Sequence, residues 1–183
     1  MITETAAAGT SSQDAVLDVF YRTVDSPVGA LLLAATYQGL VRVAFDREEH
    51  DAVLAALARD VGPRIRRAPA LLDTAAGQLD EYFSGVRRAF ELPWNLRLAK
   101  GFRRAVLTHL PAIGYGRTES YAQVALAAGS AKAVRAAGTA CAANPLPIVL
   151  PCHRVIHSDG TPGAYAGGET AKKTLLALES AGA

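Results

Sequence analysis

Two cysteines stand in this 183-residue chain, Cys141 and Cys152, and one of them is in a setting that could do chemistry. Cys152 lies in the run Pro151-Cys152-His153-Arg154, directly after the apolar residues Ile148 to Leu150. A free thiol is mostly protonated at neutral pH. It becomes a strong nucleophile when a neighbour takes its proton or stabilises the thiolate. His153 is the base type such chemistry uses, although side chains adjacent in sequence need not touch. On its own the pair is read more readily as a buried cysteine beside an incidental histidine. Ile148 to Leu150 reads as a short buried strand that Pro151 brings to a stop, which would put Cys152 just past a strand end.

The elements before Cys152 must position it. Phe102, Ala105, Val106 and Leu110 fall at helical spacing, and Gly114-Tyr115-Gly116 turns the chain. Tyr121, Val124, Ala125 and Ala128 then give a short amphipathic helix that Gly129 ends. A further helix is expected from about Ser130, a good N-cap. Its inner face would be Ala131, Val134, Gly138 and Cys141, and its outer face Lys132, Arg135 and Thr139. Two short helices with a basic outer face form a helix-turn-helix pattern. Residues 131–143 contain eight Ala and Gly. That makes a thin helix, suited either to close helix packing or to entry into a narrow groove.

In the first half, Phe20 to Val24, Ala30 to Ala35 and Leu40 to Phe45 are β-prone runs separated by turn residues, so an antiparallel meander is expected. Asp46 with Glu49 reads as a capping box before a helix carrying Val53, Leu54, Leu57 and Val61 on one face. Pro63 and the basic Arg64 to Arg67 read as a loop. A second helix follows, with Leu72, Ala75, Ala76, Leu79 and Phe83 on one side and a stop at Gly85. Three segments result: a disordered tail over 1–14, an α/β domain over 15–94, and a mainly helical domain over 95–183, with Pro93-Trp94-Asn95 starting the linker.

Composition narrows the function classes. Two cysteines exclude a disulfide scaffold and a zinc site built on four thiolates. No signal-peptide pattern and no apolar run of membrane-spanning length is present, so a soluble cytoplasmic protein is expected. The net charge of +2 is unevenly spread. Residues 1–99 hold ten Arg against thirteen Asp and Glu, and residues 100–183 hold nine Lys and Arg against four acidic residues. A basic second half suits contact with a polyanion.

Taken together, Pro151-Cys152-His153-Arg154-Val155-Ile156, Asn144-Pro145 before it and Tyr165-Ala166-Gly167-Gly168 after it resemble the active-site signature of the O6-alkylguanine-DNA alkyltransferases. Ile113 to Gly116, Ser120-Tyr121 and Ala133 to Gly138 are similar to that family's helix-turn-helix. Lys172, Leu175-Leu176 and Glu179 match its last helix, and the match runs without a gap from about Phe102 to Glu179. The resemblance implies an α/β (α+β) fold: a small ribonuclease-H-like N-terminal domain, then a helical, winged-helix-like domain that binds double-stranded DNA. It implies that Cys152 accepts an alkyl group from O6-alkylguanine, with O4-alkylthymine as a further lesion class, once per molecule. His153 would take the thiol proton through a water, and Glu179 would hold that histidine. Asn144 would brace the turn before Cys152, and Tyr121 would donate a hydrogen bond to the leaving guanine. Arg135 would fill the space of the flipped nucleotide. Ser120, Lys132, Ala136 and Thr139 would face DNA, and Pro147, Val155, Tyr165, Ala166 and Gly167 would line the base pocket. Gly167 in particular would leave room for a large alkyl group. No metal and no cofactor are expected, and a monomer suffices.

From the residues alone, Glu179 reads as an exposed last-turn carboxylate. Ala99, Arg103 and Leu107 depart from the family's usual Gly, Gln and Trp, and Ala137, Ala164 and Glu169 are further departures that bear on packing and DNA affinity. Two other readings stay open. One is a non-reactive DNA-binding relative or helix-turn-helix regulator, against which the presence of Cys152 argues. The other is a thiol hydrolase with a Cys/His/Glu triad, which would turn over and would leave the helix pair unexplained.

Overall fold

A computed structural model of the chain describes residues 16–182. The expected tail over 1–14 lies outside them. Strands β1 (Val19–Val24), β2 (Leu31–Thr36) and β3 (Gly39–Phe45) form the antiparallel meander. A fourth strand, β4 (Ile65–Arg67), pairs parallel with β1, giving the order β3-β2-β1-β4. The basic sequence of residues 64–67 suggests a loop, and the structure makes residues 65–67 a strand. Their charge hid the strand, because Arg66 and Arg67 sit exposed at the sheet edge, where charge is tolerated.

Both faces of the sheet are covered, which is why β2 reads as a continuous apolar run and not as an alternation. Ala34, Val19 and Val41 pack under Leu57 of α1 (His50–Asp60). Leu31, Leu33 and Ala35 face the main core with Ala75, Ala76, Leu79 and Tyr82 of α2 (Asp73–Phe83). The capping contact is made by Glu48 and not Glu49, and it closes the 3-10 turn Asp46–Glu48 that precedes α1. The Glu48 carboxylate accepts from the Phe45 amide at 2.8 Å, and Glu49 takes a left-handed conformation (φ 58°). Residues 93–95 are not a free linker. Leu40 donates to the Pro93 carbonyl (2.9 Å) and accepts from Asn95 (2.8 Å), extending the sheet beside β3.

The second half builds on the same core through Val106 and Leu107 of α3 (Gly101–His109) and Val124 and Ala125 of α4 (Tyr121–Ala127). Ser120 caps α4, accepting from the Gln123 amide, while the Gln123 side chain returns to the Ser120 amide at 2.7 Å. Helix α5 (Val134–Ala142) starts four residues later than expected. Ser130 is used otherwise: its amide closes the end of α4 on Ala125 and its carbonyl receives Ala133. Lys132 therefore sits in the turn before α5, and the buried face of α5 is Ala137, Ala140 and Cys141, with Val134 partly exposed. Two-residue strands β5 (Glu119–Ser120) and β6 (Val155–Ile156) pair in parallel, fixing the start of α4 to the segment just after Cys152. Helix α6 (Gly168–Ala181) closes the fold.

Ile148 to Leu150 is a correction. It forms turns and not a strand, with Ile148 at φ 75° and the Leu150 amide donating to Leu146 at 2.8 Å. Prolines at 145, 147 and 151 remove three ladder donors. The Asn144 side chain then satisfies the backbone a neighbouring strand would have served.

Candidate active site

Asn144 organises the loop that carries the thiol. Its Oδ1 accepts from the Leu146 amide (3.0 Å), and its Nδ2 donates to the Leu150 carbonyl (2.8 Å) and to Cys152 Sγ (3.1 Å). All of these groups are buried, so each bond replaces one that water cannot supply. Cys152 itself is 3 % exposed and opens a single 3-10 turn, Cys152–Arg154. Burial pushes its thiol up to about 11, against the opposing pull of the Asn144 amide and the Lys172 ammonium. At neutral pH the resting group is therefore the thiol, and it needs a base.

His153 is fully buried, and burial pushes its imidazole towards the neutral form, against the pull of Glu179. Its Nε2 lies 2.8 Å from Glu179 Oε1. Burial works to raise the Glu179 carboxyl, but hydrogen bonds from His153 and Arg154 outweigh it and hold the group at about 2. An ionised carboxylate only accepts, so Nε2 carries the ring proton and Nδ1 is the basic nitrogen. Nδ1 is buried without a hydrogen-bond partner among the described residues.

Glu179 is 1 % exposed, which overturns its reading as a surface carboxylate. It accepts five hydrogen bonds: from His153, from Tyr82 Oη (2.7 Å), from Arg154 Nε and Nη2 (2.9 Å each), and from the Gly116 amide (3.2 Å). A buried carboxylate is tolerable only with such compensation. Arg154 is held in turn by donation to the Ile113 carbonyl. Lys172, also buried, donates to the Val155 carbonyl at 2.6 Å and lies 5.8 Å from the centre of the Tyr121 ring.

The structure thus brings Cys152, His153, Glu179 and Asn144 together, with Tyr121, Val155, Pro147 and Tyr165 buried nearby in the same core. Tyr165 packs edge-on against Phe45 (5.4 Å) and His153 (6.3 Å). Arg135, Ala136, Thr139 and Lys132 are exposed, and Ser120 is half-buried as the cap of α4. A cleft of about 420 Å³ opens between Tyr121, Val134, Arg135, Gly138, His157 and Ala164. Ala166 and Gly167 are half-buried beside Tyr165. Gly167 does not provide the expected room: a Cβ there would come within 2.7 Å of the Phe45 ring. The departures at 99 and 107 are buried packing residues, and Arg103 donates to the Ala143 carbonyl at the end of α5.

Comparison with known proteins decides the family. The 6-O-methylguanine DNA methyltransferase ribonuclease-like domain matches residues 19–96, and the 6-O-methylguanine DNA methyltransferase DNA binding domain matches residues 101–181. This chain belongs to the O6-alkylguanine-DNA alkyltransferases. A methylated-DNA–protein-cysteine methyltransferase of Mycolicibacterium paratuberculosis is 38% identical over 87% of this chain and 91% of its own. The constitutive enzyme of Bacillus subtilis is 36% identical over 86% and 92%. The crystal structure of Mycobacterium tuberculosis O6-methylguanine methyltransferase superposes with a TM-score of 0.80 at 34% identity, covering 90% of this chain and 94% of that one. The same protein in complex with DNA gives 0.77 at 35% identity, with the same coverage.

Several alkyltransferase site residues escaped the reading of the sequence. Tyr82 lies three residues after Leu79, at the spacing of the buried face of α2, but Phe83, four after Leu79, fits that face equally well by periodicity. Arg154 shows in the sequence only as a near neighbour of Cys152, and nothing there pairs it with Glu179. Phe45, at the end of β3, gives no sign of its place beside Gly167.

Proposed function

We propose that this alkyltransferase repairs DNA by direct reversal, moving the alkyl group of O6-alkylguanine to Cys152 in one irreversible turnover per molecule. The observation that carries the reading is the His153–Glu179 contact. It fixes the proton on Nε2 and leaves Nδ1 to take the Cys152 proton through an intervening water. The thiolate then attacks the alkyl carbon, the bond from that carbon to O6 breaks, and Tyr121 donates a hydrogen bond to the departing guanine as charge grows on it. A thioether is the product, and no neighbouring group can hydrolyse it.

The DNA partner is supported by the relative solved with DNA and by the exposed face of α5. In this reading Arg135 enters the duplex in place of the flipped nucleotide, and Lys132, Ala136, Thr139 and Ser120 meet the backbone around it. Val155, Pro147, Tyr165, Ala166 and Gly167 surround the base. Residues 15–94 act as the supporting domain and 95–183 as the DNA-binding and acceptor domain. The protein works as a cytoplasmic monomer, since one chain supplies every group the transfer uses. Among the described residues no helix is long and apolar enough to cross a membrane.

Intact mass after incubation with an O6-methylguanine duplex tests the reading. One methyl group, about 14 Da, is expected on Cys152 with no turnover past one equivalent. Cys152→Ser should bind the duplex and transfer nothing. Continued turnover, or a methyl group on another residue, overturns the assignment.

A further inference from the structure

His157 is the one titratable side chain of the cleft beside Tyr121 that the transfer as described leaves unused. Its backbone is clamped in a tight turn, donating to Thr161 (2.8 Å) and accepting from Gly160 (3.0 Å), so an exposed imidazole is mounted on a fixed base. The ring lies 5.2 Å from that of Tyr121. Both polar tips lie beside Gly163, without a hydrogen bond between them, and Gly163 takes a left-handed conformation (φ 71°). A Cβ there would fall 2.7 Å from the Tyr121 hydroxyl and 3.1 Å from His157 Nε2. Glycine is thus required by the backbone and by the closeness of the two groups.

We propose that His157 relays a proton from solvent to the Tyr121 hydroxyl as the guanine leaves, a role that rests on the reading of Cys152 and Tyr121 given above. As sulfur bonds to the alkyl carbon, the carbon–O6 electron pair passes to the guanine, and the base takes the Tyr121 proton. The phenolate takes one from the His157 imidazolium through a bridging water, and the imidazole regains its own from solvent. The chemistry favours this direction, because an imidazolium is a far stronger acid than a phenol. Burial also pushes the Tyr121 hydroxyl up to about 12, so a negative charge on that oxygen needs prompt neutralisation. The charged groups around the pair are Arg135 from α5, Asp159 from the turn and Lys172 beyond the Tyr121 ring. Among them only His157 is an imidazole, the side-chain type suited to shuttle protons.

The test is single-turnover transfer from a methylated duplex with protein in saturating excess, at about pH 6 and about pH 8.5. His157→Gln should slow the step by about tenfold at the lower pH, and should converge with the unmodified protein at the higher pH, above the range where imidazoles as a class hold a proton. Tyr121→Phe should be slow at both, and adding His157→Gln to it should cost nothing further. Duplex affinity, measured in a Cys152→Ser background, should not change with His157→Gln. A slowing equal at both pH values, additive with Tyr121→Phe, or present only as lost affinity overturns the relay alone. Tyr121→Phe transferring as fast as the unmodified protein overturns the Tyr121 reading, and the relay with it.

Discussion

Tyr82, on the second helix of the N-terminal half, donates a 2.7 Å hydrogen bond to Glu179, on the last helix of the chain. The carboxylate that orients the candidate base is therefore held partly by the half of the protein that carries none of the reactive groups. Tyr82 is fully buried, and burial with the adjoining Glu179 charge pushes its hydroxyl far up, so it acts only as a donor. Tyr82→Phe should keep the ring packing and remove one of five donors. The expected cost is about 1–3 kcal/mol in a denaturant midpoint, with methyl transfer slowed but not abolished. An unchanged midpoint would show the contact to be without consequence.

Glu179→Gln strikes the centre of the same network. Removing one member of a buried, hydrogen-bonded ion pair costs about 3–5 kcal/mol, here by leaving Arg154 without its counter-charge. The pH dependence follows from the sign of the shift. The Glu179 carboxyl is lowered to about 2 from its ordinary value of 4.5, so its stabilisation is full above the ordinary value and fades as pH falls towards 2. The variant should lose that part of the acid sensitivity, which unfolding curves between those limits would reveal. Its transfer should also be slow near neutrality and recover as pH approaches the value of about 11 at which the Cys152 thiol ionises unaided. A variant rate that stays parallel to the unmodified protein at every pH would separate Glu179 from proton removal.

How far these groups could be read in advance depended on how local their signals are. The meander of β1 to β3, the amphipathic helices and the Ser120 cap each follow from spacing within a few residues, and they were legible. The thiol was legible from its motif. Glu179 was not legible from its surroundings, because an acidic residue on the last turn of a helix looks the same whether solvent or Arg154 faces it. Ile148 to Leu150 misled for a related reason. The apolar run records burial correctly, but Asn144 had already supplied the hydrogen bonds of a strand from a side chain six residues upstream of Leu150. Tyr82 reaches Glu179 across 97 residues of sequence and Phe45 reaches Tyr165 across still more, where no periodicity extends.

Asn144 offers the cleanest separation of loop from chemistry. Asn144→Ala leaves the Leu146 amide buried without a partner and the Leu150 carbonyl with only its bond from the Cys152 amide, and an unpaired buried donor costs about 1–3 kcal/mol, so destabilisation is expected. Asn144→Asp keeps the acceptor for Leu146 but replaces the Nδ2 donor near the sulfur with a negative charge. That variant should fold more stably than Asn144→Ala and yet transfer more slowly than the unmodified protein, its thiol pushed higher still. Fast transfer by Asn144→Asp would show that the 3.1 Å contact to Sγ does not assist ionisation.

The base pocket yields a prediction opposite to the one its glycine suggests. Gly167 looks like space left for a large alkyl group, but the space is taken: a Cβ would lie 2.7 Å from a ring atom of Phe45. That ring cannot withdraw cheaply, since it is 2 % exposed and packed edge-on against Tyr165, itself a neighbour of His153. Gly167→Ala should therefore act as an overpacking change, costing about 1–3 kcal/mol and slowing transfer of methyl and benzyl groups alike by displacing Tyr165. A change that merely narrowed the alkyl site would spare methyl and penalise benzyl. Phe45→Leu, introduced with Gly167→Ala, should recover most of both rates by giving the new methyl group room. Thermal unfolding of the single and double variants, together with transfer from O6-methylguanine duplex and from free O6-benzylguanine, distinguishes the two accounts. Loss confined to the benzyl substrate, without rescue by Phe45→Leu, would return Gly167 to the wall of the pocket.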